Sequence, residues 1–241
     1  MTALVSPGAS RKPRRSTSDD GAAPPLRQLA KIVGTQVLPF VALWFAVLAS
    51  VGWLLGHPLK SAISGEDGVN RWLASSRTPD WNSVTNVVSL VANTGSIIIT
   101  MIVACAVYWL IARRLRDALP VVIGVCMQAT CFLLTTLLID RPRPEVSKLD
   151  ESPPTSSFPS GHTGAASALY FGLVILCVRR FPSMWARVLT AVVFGLVPFA
   201  VATARLYRGM HHPSDVVFGL LNGLVCAVIA YLALRPARSA D

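Results

Sequence analysis

Six runs of apolar residues constrain this chain more than anything else in it: Val37–Leu55, Thr94–Ile111, Leu119–Ile139, Gly164–Val178, Val188–Val201 and Val216–Leu234. About 20 apolar residues make a helix long enough to cross the hydrocarbon core of a bilayer. No backbone N–H or C=O can be left open in that solvent, so a crossing segment of this kind must be helical. Runs one, three and six reach span length, and run two lies at its lower limit. Runs four and five are short as written, and span only if the polar residues on their flanks join the helix. Composition agrees, with 53% of residues hydrophobic and 14% charged, where a soluble domain is about a quarter charged. The expected fold class is all-α, a polytopic membrane protein whose six-helix bundle occupies residues 36–235. A disordered chain and a soluble enzyme with a polar coat are excluded.

Residues 1–35 are rich in Pro, Ser, Gly and Arg, with a basic cluster at Arg11, Lys12, Arg14 and Arg15. They are expected to form a disordered cytoplasmic tail, and residues 236–241 a short cytoplasmic C-terminal tail. A cleavable signal peptide is not expected, because the first long apolar run begins only near Val37. A net charge of +10 suggests nucleic acid in a soluble protein. In a membrane protein the same excess belongs to the cytoplasmic ends, so the bilayer is the expected partner and nucleic acid is not. With the N-terminus in the cytoplasm, the 22 Lys and Arg divide 14 inside to 8 outside, the bias of the positive-inside rule. The expected location is the plasma membrane, with both termini cytoplasmic. Cys105, Cys126, Cys131, Cys177 and Cys226 all lie inside apolar runs and read as small buried hydrophobes. The outer loop over 56–93 is expected to carry a short interfacial helix at Val69–Leu73 and no catalytic group.

Three polar segments at the ends of the runs are dense in reactive residues. They are Asp140-Arg141-Pro142-Arg143-Pro144, Ser157-Phe158-Pro159-Ser160-Gly161-His162, and the stretch from Arg205 through Arg208, His211 and His212 to Asp215. Counting spans puts all three on one membrane face, at the extracytoplasmic ends of membrane helices 3–6. Arginine presents a planar fork of donors that matches phosphate oxygens. Ser160 is placed to cap run four and Pro213 to open run six, so two helix N-termini face the same space. Together these make an anion site, most naturally one for phosphate. His211 and Asp215 are four residues apart and can share a helix face, where a carboxylate would fix the imidazole tautomer and free the other nitrogen to attack. His162 is then available as general acid for the leaving oxygen. A zinc set of His162, His211, His212 and Asp215 has suitable donor types, but the surrounding arginines repel a dication. No metal or cofactor is expected. His212 reads as a bystander, and Arg141 and Arg208 taken alone as interfacial anchors.

On these residues the chain resembles the type-2 phosphatidic acid phosphatase superfamily, membrane lipid-phosphate phosphatases with a haloperoxidase-related core. That family shows K-x6-R-P, P-S-G-H and S-R-x5-H-x3-D. Arg143-Pro144 match the end of the first motif, Pro159-Ser160-Gly161-His162 the whole of the second, and Arg205, His211 and Asp215 the third in spacing. The resemblance implies that Arg143, Ser160, Gly161 and Arg205 bind phosphate. It implies His211 as nucleophile, Asp215 as its partner and His162 as acid and base. Two positions depart from the pattern: Thr136 stands where the family has Lys, and Ala204 where it has Ser. The first change removes a cation, for which Arg141 and Lys148 are the nearby substitutes, and Arg141 joins the candidate phosphate-binding set. The expected function is metal-independent hydrolysis of a lipid phosphate or pyrophosphate, such as undecaprenyl pyrophosphate or phosphatidic acid, through a phosphohistidine. The alternative is a non-enzymatic lipid-phosphate binding protein or transporter.

Overall fold

Each apolar run becomes a helix whose ends are set by the residues flanking it. The computed structural model describes residues 23–152 and 154–235, and the regular elements among them are helices. Helix α1 (Leu26–Ile32) passes through a π-helical turn at Val33–Val37 into α2 (Leu38–Gly56), and the three act as one long span. The outer loop holds α3 (Gly65–Ser75) and α4 (Pro79–Val91). The remaining spans are α5 (Thr94–Ala112), α6 (Leu115–Leu138), α7 (Gly161–Arg180), α8 (Met184–Tyr207) and α9 (Pro213–Leu234). Six helices among the described residues are long and apolar enough to cross a membrane.

The caps follow from side-chain chemistry. Asn93 accepts a hydrogen bond from Ser96 N at 2.8 Å to start α5, and Ser183 accepts one from Ala186 N to start α8. Pro79 and Pro213 open α4 and α9, where a missing N–H costs nothing. Runs four and five do recruit their polar flanks, extending to Gly161–Arg180 and Met184–Tyr207. Two expectations are corrected. The first span begins at Leu26, inside the stretch expected to be tail, because Leu26, Leu29, Ala30 and Ile32 continue the apolar pattern as a helix. The interfacial helix is longer than Val69–Leu73 and is followed by a second, α4. The basic cluster at 11–15 and the tail at 236–241 lie outside the described residues.

Helices α6, α7 and α9 form the inner layer. On one side Val121 and Val125 of α6 pack with Ala166, Leu169 and Leu173 of α7 and Val201 of α8. On the other, Met127 and Cys131 of α6 meet Cys226 and Ala230 of α9 and Val41 and Leu48 of α2. Lipid tails are as apolar as leucine, so helices associate here through close packing and hydrogen bonds. The α7–α9 contact is of that kind. A Cβ on Gly223 would lie 2.4 Å from both Ala168 N and Gly164 O, so only glycine fits. Ser167 Oγ donates to Leu220 O at 2.7 Å, and Trp44 Nε1 donates to Asn222 Oδ1 at 3.0 Å. Of the cysteines, Cys131 and Cys226 are buried, whereas Cys126 faces outward, so it is not the buried hydrophobe expected.

Candidate functional site

The three polar segments meet at one end of the bundle. Among the described residues, the chain between α6 and α7 has no regular structure from 139 to 160, and a loop of that length in a packed protein is uncommon unless it is functional. Main-chain bonds tie it to the α8–α9 joint. Leu149 N donates to Arg208 O at 3.1 Å, and Ser160 N donates to Asp215 O at 2.9 Å. Ser157 N donates to Arg141 O at 2.9 Å, closing the loop on itself. Gly209 makes the turn after α8 with φ at +74°, and a Cβ there would strike Val146 Cγ2 at 2.8 Å and Ser147 O at 2.9 Å.

His211 sits in the α8–α9 joint and is buried. Its Nδ1 lies 2.8 Å from the carbonyl oxygen of Ser157. A carbonyl only accepts, so Nδ1 carries the proton and donates, and Nε2 keeps its lone pair. Burial pushes the imidazole well below its ordinary pKa, and the charges of Arg205 and Arg143 push the same way. The ring is therefore neutral at physiological pH. Asn70 of α3 holds the backbone beneath it, donating through Nδ2 to the His211 carbonyl at 3.0 Å.

Around this ring lie Arg143, Arg205 and His162, each close enough for its charge to act on His211. Arg143 donates from Nη1 to Met210 O at 2.9 Å, and Arg205 donates from Nη1 to Ser89 Oγ at 2.7 Å and to Asp150 Oδ2 at 2.6 Å. The Nε–H of both arginines is buried without an acceptor. A buried donor left unsatisfied costs about 1–3 kcal/mol, and a phosphate oxygen would remove that cost. Ser160 occupies the N-cap position of α7, but its hydroxyl pairs with Thr163 Oγ1 at 2.9 Å rather than with the helix backbone. Gly161 has no side chain because the ring of Phe132 lies where a Cβ would contact it, at 2.8 Å. His162, in the first turn of α7, is close enough to Arg205 and Arg143 for their charges to act on it.

Two residues stand differently from their expected geometry. Asp215 does not hydrogen-bond His211: its Oδ2 is 3.9 Å from Nδ1. The α9 capping box claims that oxygen, which accepts from His212 N at 2.8 Å and contacts His212 Nδ1 at 3.1 Å. The guanidinium of Arg141 is likewise taken. It donates to Asp215 Oδ1 at 2.5 Å, Ser214 Oγ at 2.7 Å and Glu66 Oε2 at 2.9 Å, so it braces the start of α9 rather than facing a phosphate. His212 is the capping partner of Asp215, which gives the supposed bystander a structural task. Thr136 turns its hydroxyl back onto Leu133 O, and Lys148 is exposed. The four donors considered for zinc do not gather as a metal set.

Sequence reasoning missed the contribution of the outer loop. Glu66 accepts from Ser214 N at 2.8 Å, Ser89 reaches Arg205, and Arg77 donates from Nε to Tyr207 O at 3.0 Å and from Nη1 to Ser147 O at 2.7 Å. Asp150 was missed as well. It joins Arg205 to Arg208, which donates to it at 2.5 Å from Nη2. Burial raises the Asp150 carboxyl pKa, but hydrogen bonds and charge from the two arginines outweigh this and hold it below the ordinary carboxylate range. A cavity of about 650 Å³ lies at the opposite ends of the helices. A small one of about 70 Å³ abuts Arg141 and His212. Neither is lined by His162, Arg205 or His211, so the candidate site is identified by its convergent chemistry and not by cavity size.

The chain matches known proteins in the same region. It is 28% identical over 133 residues to bacitracin transport permease protein BcrC of Bacillus licheniformis, covering 52% of this chain and 60% of that protein. It is 26% identical over 162 residues to the putative undecaprenyl-diphosphatase YbjG of Escherichia coli, covering 64% of this chain and 76% of the relative. The first match spans less than two thirds of the relative's length. The fold is similar to a crystal structure of a transmembrane PAP2-type phosphatidylglycerolphosphate phosphatase from Bacillus subtilis, with a TM-score of 0.71, 19% identity, and coverage of 83% of this chain and 97% of that one. A match over residues 117–239, which take in both candidate histidines and both candidate phosphate arginines, makes this chain a member of the PAP2 superfamily.

Proposed function

We propose that the chain is an integral membrane phosphatase that hydrolyses a lipid phosphate or pyrophosphate without a metal, through a phosphohistidine on His211. The observation that carries the proposal is the pairing of a neutral, tautomer-locked imidazole with two buried guanidinium Nε–H groups that lack acceptors. The lone pair on Nε2 attacks phosphorus as the bond to the lipid oxygen breaks, and His162, protonated, gives its proton to that oxygen. Water then attacks phosphorus, the P–N bond breaks, and neutral His162 takes the water proton. Arg143, Arg205 and the N-terminus of α7 at Ser160-Gly161 hold the phosphoryl oxygens through both steps. Asp215 acts at 3.9 Å by charge, and by fixing the backbone on which His211 sits. A lipid substrate suits a site at the ends of membrane helices. The name of the relative from Escherichia coli supports a polyprenyl pyrophosphate, and that of the structural neighbour supports a lipid phosphate monoester.

The deciding experiment is phosphate release by the purified protein with EDTA present. Undecaprenyl pyrophosphate, phosphatidic acid and phosphatidylglycerol phosphate are offered in parallel. At least one is expected to turn over, and His211→Ala should lower the rate by about three orders of magnitude or more. Binding without release would favour the non-enzymatic reading prompted by Thr136. Activity that needs an added divalent ion would overturn the metal-free mechanism.

The 14-to-8 division of basic residues supports cytoplasmic termini and an extracytoplasmic site in the plasma membrane. Ser157 is fully buried, so a reporter belongs on exposed Lys148. In a variant without native cysteines, Lys148→Cys should react with a membrane-impermeant thiol reagent on intact cells. Labelling only after lysis would reverse the orientation.

A further inference from the structure

The end of the bundle far from the candidate active site holds a feature that the proposed reaction does not use. There α6, α7 and α9 diverge around a cavity of about 650 Å³. Among the described residues, its rim carries Arg116, Arg179, Arg180 and Arg235 against one acid, Asp117. That acid is already committed: Tyr108 donates to it at 2.9 Å, Arg114 at 3.0 Å, and Arg180 pairs with its other oxygen. The rim is therefore strongly cationic. The wall below is apolar, formed by Val121, Gly172, Leu176 and Ala227. From Arg180 back to Gly172, and from Arg235 back to Ala227, the helices descend about 12 Å at 1.5 Å per residue. The cavity thus starts in the headgroup layer and ends within the hydrocarbon.

We infer that this cavity binds an anionic phospholipid of the leaflet opposite the candidate active site, with the phosphodiester at the arginine rim and the first methylenes of a chain along the floor. The arrangement of Arg179 supports a phosphate ligand. Its guanidinium carbon lies 4.9 Å from the centroid of the Tyr231 ring. That cation–π contact holds the guanidinium at the rim beside the cavity. The depth of the floor supports a lipid over a free ion, since a hydrated ion gains nothing from Leu176 or Ala227. Among the described residues, no histidine or cysteine lines the cavity. The inference is independent of the chemistry at the other end.

Native mass spectrometry of the full chain in detergent tests it, with phosphatidylglycerol, phosphatidylcholine and inorganic phosphate titrated separately. Phosphatidylglycerol is a diester, so the proposed monoesterase activity leaves it intact. It should bind as a discrete adduct, and Arg179→Gln with Arg235→Gln should weaken it about 10-fold or more. Both substitutions are at the rim, and a thermal melt of the double variant verifies the fold. Should the pair destabilise the protein, Leu176→Trp, which fills the floor instead, must weaken the lipid in the same way. Equal binding of phosphatidylcholine, an unchanged affinity in the rim variant, or full competition by inorganic phosphate would each overturn the assignment to an anionic lipid.

Discussion

Helices α5 and α7 are of nearly equal length, 19 and 20 residues, yet the bundle treats them oppositely. In the most apolar stretch of α5 only 6% of residues are buried, against 56% in α7. The more hydrophobic helix is the outer one. Ile98, Ile99, Ile102 and Val103 of α5 face outward, whereas α7 buries Thr163, Gly164, Ala166, Ser167 and Ala168. A bilayer explains the inversion. Apolar side chains gain nothing by leaving lipid, so the inner positions go to residues that pack closely or hydrogen-bond. The helix that carries His162 is held by backbone proximity and polar contacts.

This contrast can be broken from either side. The largest effect is expected at the inner contact. Gly223→Leu places a side chain 2.4 Å from Gly164 O, and the variant should fail to give monodisperse protein, at a cost beyond the ~1–3 kcal/mol of ordinary overpacking. Normal gel filtration and melting would mean that α7 and α9 can part freely. A smaller effect is expected from Asp150→Asn, which takes the shared charge from Arg205 and Arg208. If that carboxylate positions Arg205, turnover should fall on the order of 10–100-fold. A rate within twofold of the parent would remove Asp150 from the positioning set. The smallest belongs to the outer helix. Ile99 is 64% exposed, and Ile99→Ala should shift stability in detergent by about 0.5 kcal/mol or less. A large loss would show that α5 has a packing partner.

Much of this was legible from residue order. The apolar runs located the spans, because the bilayer imposes one length and one backbone conformation. Span parity brought Arg143, His162 and Arg205 to one end, but the helix face expected to hold both His211 and Asp215 does not form, because α9 starts at Pro213 and His211 precedes its N-cap. What escaped notice has physical reasons. The partner of His211 is a main-chain carbonyl, at Ser157, and any residue type offers one. Glu66, Asn70 and Ser89 reach the site from a loop 75 to 148 positions away from their partners, and no local pattern encodes such a distance. Arg141 sits one proline from Arg143, yet its fork is turned to Glu66 and Asp215. Composition cannot tell a brace from a ligand when both are arginines.

The carbonyl of Ser157 has a consequence for the lifetime of the phosphohistidine proposed above. A carboxylate partner could draw the Nδ1 proton toward itself and leave an uncharged phosphoimidazole. An amide oxygen is far too weak a base to do so. In the proposed phosphohistidine, the Ser157 carbonyl would therefore leave the Nδ1 proton on the ring. A cationic imidazole departs readily from phosphorus, so the adduct would be short-lived by construction. Changing the Ser157 side chain would leave that property untouched, because the controlling atom belongs to the main chain.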